Sequence, residues 1–181
     1  MACFFFKNLK TKGKTMLSKK LEDAINEQIR VEFHSAYIYL SMSAYCETIN
    51  FPGAASWLQA QNIEETEHGM KLFTFVNDRG GHAKLKELSQ PQVHFDSLLD
   101  IFETSLNHEK NVSEKIYKLY ELAIEEKDYP TQVMLQWFIQ EQVEEEKTVS
   151  DIVENLKMAG SDSQALLLLD KELQSRSAND A

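Results

Sequence analysis

Apolar residues recur in this chain at three- and four-residue steps through four long stretches, a period that marks helices with one buried face. At a turn of about 100° per residue, Leu21, Ile25, Glu32, Ala36, Tyr39 and Ser43 share a face of a helix running from about Ser18, an N-cap residue type, to Thr48. Ala54, Leu58, Glu65, Gly69, Leu72 and Val76 share a face of a second, opened by Pro52 and closed near Arg79 by Gly80-Gly81, with His68 at the stripe's edge. Leu98, Phe102, Ser105, Glu109, Ile116, Tyr120 and Ala123 line a third, from about Asp96 to Lys127. Met134, Phe138, Gln142, Glu145, Val149, Ile152 and Leu156 line a fourth, which follows Asp128-Tyr129-Pro130 and ends near Met158, ahead of Gly160. A short fifth helix is expected from about Asp162 to Ser175, with the apolar run Leu166 to Leu169. His82 to Val93 has no helical period and contains Pro91, so an extended connection is expected there. It is longer than antiparallel neighbours need, which lets the third helix run parallel to the second. The expected fold class is all-α, a four-helix bundle with one long crossover and a short fifth C-terminal helix.

Each of the four main stripes carries one carboxylate in its middle: Glu32, Glu65, Glu109 and Glu145. Burying four negative charges together is prohibitive unless cations sit among them. No inward-facing Lys or Arg stands opposite, so a pair of metal ions is implied. Glu65-x-x-His68 can present an oxygen and an imidazole nitrogen to one metal from a single helix face. Carboxylates with one histidine suit iron, manganese or zinc better than copper. Five donors cannot saturate two ions, which leaves open positions for dioxygen and water, as at a redox site. Glu65 points between Glu32 and Glu109 and is the candidate bridging ligand. Gln142 would be a neutral donor holding a carboxylate or bound water. Tyr39, two turns beyond Glu32, can hydrogen-bond a ligand or donate an electron, or it is an ordinary core tyrosine. Glu64, Glu141 and Glu144 flank the ligand positions and could hold a third, weaker iron, or they are surface carboxylates.

Charge and composition narrow the partners. The chain has 181 residues, 27% charged and 43% hydrophobic, enough for one domain with a sizeable core. Its net charge is −10, and the first fifteen residues hold Lys7, Lys10, Lys12 and Lys14 with no acid, so the remainder is more acidic still. Such a surface repels phosphate backbones and attracts cations, which argues against nucleic acid as a partner. Residues 1–15 are expected to be a disordered basic extension, and residues 16–181 one domain. Two cysteines, Cys3 and Cys46, are too few for a disulfide scaffold and fit a reducing, cytoplasmic compartment, with Cys46 a core residue. No apolar run reaches the roughly 20 residues that span a membrane.

At these residues the sequence resembles a bacterial-type non-haem ferritin from about Met16 to Gln174. The likeness rests on Arg30-Val-Glu-Phe33, Asn62-Ile-Glu-Glu-Thr-Glu-His68, Asn107-His-Glu-Lys110, Leu135-Gln-Trp137 and Glu141-Gln-Val-Glu-Glu-Glu-Lys147, in order and at family spacing. The resemblance implies a ferritin-like domain in which Glu32, Glu65 and His68 hold one ferroxidase iron and Glu65, Glu109 and Glu145 the second. It assigns Glu64, Glu141, Glu144 and Glu145 to an accessory third iron. It further implies a hollow 24-subunit shell that oxidises Fe2+ with O2 or peroxide (H2O2) and stores ferric mineral, the fifth helix lining the fourfold contacts. The sequence departs from bacterioferritins: Gln142-x-x-Glu145 replaces their second Glu-x-x-His, and Thr66 stands where their haem-ligating methionine follows the glutamate, so no haem is expected. A rubrerythrin-type peroxidase would need a cysteine cluster that the chain lacks. A DNA-protecting mini-ferritin fits poorly with the acidic balance and with ligands on all four helices.

Overall fold

The computed structural model describes residues 17–177. The main-chain geometry gives five helices and, among the described residues, no strand: α1 Lys19–Thr48, α2 Pro52–Asp78, α3 Leu98–Glu125, α4 Tyr129–Ala159 and α5 Ser163–Ser177. The basic extension expected at residues 1–15 lies outside the described residues.

Local chemistry sets the boundaries. The Ser18 hydroxyl accepts from the Leu21 amide at 3.2 Å, and Ser97 and Asp128 cap α3 and α4 through Asp100 and Thr131. Ser97 as cap moves the start of α3 to Leu98, two residues later than the pattern suggested. Three helices end alike. The amides of Phe51, Gly81 and Asp128 reach back to the carbonyls of Cys46, Val76 and Ala123, and the residue before each amide is left-handed: Asn50 at φ 61°, Gly80 at 71° and Lys127 at 55°.

The segment between α2 and α3 is extended and climbs the outer side of α1. Asn26 bonds the His82 carbonyl and the Lys84 amide near its start, His34 meets Ser89 midway, and Tyr45 donates to the Phe95 carbonyl at its end. Because the crossover runs the length of α1, α3 begins beside the C-terminal end of α1 and runs antiparallel to it, as the Tyr39–Glu109 and Lys20–Glu125 contacts show. It is therefore parallel to α2, as the loop length suggested.

The core divides into two apolar clusters. One gathers Tyr39, Met42 and Cys46 of α1 with Trp57, Leu58, Phe102 and Val149; the other gathers Leu21, Ile25 and Ile29 with Leu72, Ile116, Leu135 and Phe138. Between them, on all four helices at one level, lie Glu32, Glu65, His68, Glu109, Gln142 and Glu145, every one buried.

Candidate metal centre

The polar belt exists because each long helix interrupts its apolar stripe at the same height. Glu32 is 1% exposed, Glu65 2% and Glu109 0%, and no Lys or Arg is buried among the described residues. Ligand atoms of Glu32, Glu65 and His68 lie within 4.8 Å of one another. The Glu65 Oε2 stands 3.8 Å from His68 Nδ1 and has no hydrogen-bond partner, although it is buried. Distance alone would call this pair an ion bridge, but burial, with help from the Lys71 charge, lowers the His68 pKa to about 4, so the imidazole is neutral. A neutral imidazole beside a bare carboxylate oxygen is a pair of donors that could hold a cation.

The carboxylates around it show the strain of sharing one space. Burial raises the Glu32 pKa to about 7, against a hydrogen bond from Gln28 Nε2 at 2.9 Å, and Glu109 adds to the rise. Burial and the charges of Glu109, Glu32 and Glu145 push Glu65 well above the usual carboxylate range. Glu65 and Glu32 also bear on each other through a side-chain hydrogen bond. Burial also raises Glu109, and two neutral donors oppose it: the Tyr39 hydroxyl at Oε1, and Gln142 Nε2 at 3.2 Å from Oε2. Ser105 completes the chain by donating to Tyr39 at 3.0 Å. Tyr39 is wholly buried and its pKa lies well above 10, through burial first and the glutamate charges next, so its proton stays on the phenol.

The residues read from the sequence are thus brought together unevenly. Glu32, Glu65 and His68 form a tight set. Glu109 and Glu145 bear electrostatically on Glu65 from α3 and α4, with Tyr39 and Gln142 oriented on Glu109. Glu64, Glu141 and Glu144 do not close into a comparable set. Glu64 is half-buried and accepts from Gln61; Glu141 is half-buried and raised by burial and by Glu144, and Glu144 is exposed. Sequence reading passed over Gln61, which is 7% exposed and whose Oε1 lacks a partner; its place one turn before Glu65 on the same stripe was the available signal. The indole ring of Trp137 borders the site as well. That ring meets His68 edge-on at 5.3 Å between centroids and carries Lys71 on its face.

Residues 22–159 match the sequence profile of the ferritin-like domain. A bacterial non-haem ferritin of Staphylococcus epidermidis is 43% identical over 165 residues, spanning 91% of this chain and 99% of that protein. One from Staphylococcus aureus is 42% identical over 161 residues, 89% of this chain and 97% of the relative. Among solved structures, an open-pore ferritin of the hyperthermophilic archaeon Archaeoglobus fulgidus superposes with a TM-score of 0.87 at 46% identity, covering 89% of this chain and 98% of that one. A closed form of that ferritin, engineered by site-directed mutagenesis, gives 0.87 at 47% identity over 87% and 96%.

Proposed function

Because the chain belongs to the ferritin family, with the ferritin-like domain across residues 22–159, we propose that it stores iron, oxidising Fe2+ at a two-ion centre inside each subunit and holding the Fe3+ as mineral within a hollow shell of copies of itself. The observation that carries this reading is the buried Glu65 Oε2, bare beside a neutral His68 in a belt of glutamates that contains no buried cation.

Iron is the substrate in this reading. Glu32 and His68 hold one Fe2+, Glu109 and Glu145 hold the other, and Glu65 lies between them as the shared ligand. Hard carboxylate oxygens favour Fe3+ over Fe2+, which assists oxidation. Each Fe2+ gives one electron. Together the two reduce O2 with two protons to H2O2, or H2O2 with two protons to two waters. Gln142 and Tyr39 keep Glu109 aimed inward while its charge state changes. Glu64, Glu141 and Glu144 are assigned to a third, weaker iron beside the pair. Assembly into a shell of 24 subunits is expected from the family.

Anaerobic titration with Fe2+ followed by air, read near 300–350 nm, tests the centre. Wild type should bind two ions per chain tightly and oxidise many more in succession, and light scattering should report a shell-sized particle. Glu65→Ala with His68→Ala should slow the oxidation at least about a hundredfold, as loss of metal ligands does. Unchanged fast oxidation in that variant would refute the site, and a small oligomer that oxidises two ions and stops would point to a di-iron enzyme with another substrate.

A further inference from the structure

α2 and α4 face each other across the widest seam of the bundle. Among the described residues, no Cα of one comes within 8 Å of a Cα of the other, whereas α1 with α2 and α3 with α4 pack backbone to backbone. Side chains fill the gap in layers. His68 and Phe138 are buried and their rings meet at 5.9 Å; Trp137, half-buried, packs edge-on against both; and the exposed Lys71 lays its ammonium on the indole, 3.2 Å from the ring centroid. The order from metal centre to solvent is therefore imidazole, indole, ammonium. The same ammonium acts electrostatically on His68 and on Glu141, which follows Trp137 by one turn of α4.

We propose that Lys71 is a positioning residue of the metal centre, its ammonium seated on Trp137 as a fixed positive charge that loosens the hold of His68 and its partners on a divalent cation and so speeds exchange of that ion. The inference rests on the reading that Glu32, Glu65 and His68 bind iron. A ferritin centre that binds Fe2+ must also let the oxidised ion go, and carboxylates alone hold Fe3+ more tightly than Fe2+. A cation in the next layer offsets that preference. The indole face orients the ammonium and holds its charge one layer out from His68. Screening through a half-buried path leaves an effect of about three- to tenfold on ion affinity.

The experiment uses the assembled full chain and two probes, anaerobic Fe2+ and redox-silent Zn2+, with affinity and ion release measured for wild type, Lys71→Met and Lys71→Arg. Lys71→Met should tighten one ion per chain about three- to tenfold and slow its release to match, while Lys71→Arg stays within about twofold. Raising NaCl to about 1 M should bring wild type and Lys71→Met together, because the effect is charge and not packing. Equal or weaker binding in Lys71→Met, or an Arg variant that shifts as the Met variant does, overturns the role of Lys71. If wild type itself binds no ion pair, it is the iron-centre reading that fails, and the inference with it.

Discussion

Burial first and the neighbouring glutamate charges next raise the Glu65 pKa well above the ordinary carboxylate range, and a cation bound beside it would oppose that rise. The consequence is a pH-dependent stability of definite sign. Glu32, Glu65 and Glu109 have raised pKa values, so what their neutral forms contribute is fully present below the ordinary carboxylate value of 4.5 and is lost as pH climbs, through about 7 for Glu32. His68 and His108 act oppositely. Each is lowered from 6.5 to about 4, mainly by burial, and costs stability below 6.5 that is regained as pH rises to that value. Above 6.5 only the carboxylate effect remains. The melting temperature of the metal-free protein should therefore fall between pH 6.5 and about 8.5, and saturating Zn2+ should remove the slope. Calorimetry across that window checks it; a flat or rising profile in the metal-free protein would contradict the assigned protonation. Zn2+ binding in the same range should release protons, measurable by titration in buffers of different ionisation enthalpy.

At the scale of the helices, two junctions carry more than their sequence suggests. The turn between α3 and α4 ends α3 with Lys127 in the left-handed region at φ 55°, where its counterpart after α2 is Gly80. The same turn is anchored by Asp128, which caps α4 and takes a two-point ion pair from Arg79 of the α2 terminus at 2.8 and 2.9 Å. Lys127→Gly removes the steric cost without touching that anchor, and should stabilise the protein by about 0.5–1 kcal/mol in chemical denaturation. The second junction joins α5 to the start of α2. Phe51 offers α2 no side-chain cap, and Asp170 of α5 supplies one across the fold, its Oδ1 accepting from the Ala54 amide at 2.8 Å. The helices meet so closely that a Cβ on Gly53 would stand 1.7 Å from the Asp170 carbonyl oxygen. Gly53→Ala should therefore detach α5, seen as fast hydrogen exchange in α5 with the four-helix bundle still protected. Asp170→Ala should cost about 1 kcal/mol through the lost cap alone.

For the molecule as a whole, the belt of acids between two apolar clusters costs stability, and α5 leaves apolar surface on the outside of the bundle. With Asp170 and Leu173 buried against the bundle, α5 turns Leu167 and Leu168 outward at 56% and 60% exposure. Under the shell reading these leucines meet copies of the chain, since a bundle gains nothing by exposing them. Leu167→Glu with Leu168→Glu should leave the helical content and two-ion binding intact while light scattering shows particles smaller than the shell. A variant that still assembled fully would remove α5 from the set of shell contacts.

Helical periodicity, which requires only that side chains on one face recur every 3.6 residues, determined the four long helices and the inward direction of Glu32, Glu65, Glu109 and Glu145. The crossover was legible for a similar reason: a stretch containing Pro91 and lacking the period cannot continue a helix. Direction around a helix axis says nothing of height along it or of what stands across a seam. Only packing showed that the acids share one level between two apolar clusters, and that Glu32, Glu65 and His68 form a tighter set than Glu64, Glu141 and Glu144. The same holds for Asp170, which caps a helix 116 residues away, and for Lys71, whose surface position in sequence gives no sign of the indole beneath it. Local propensity and face are properties of neighbours in the chain, whereas a shared site is a coincidence of distant residues that the tertiary structure alone decides.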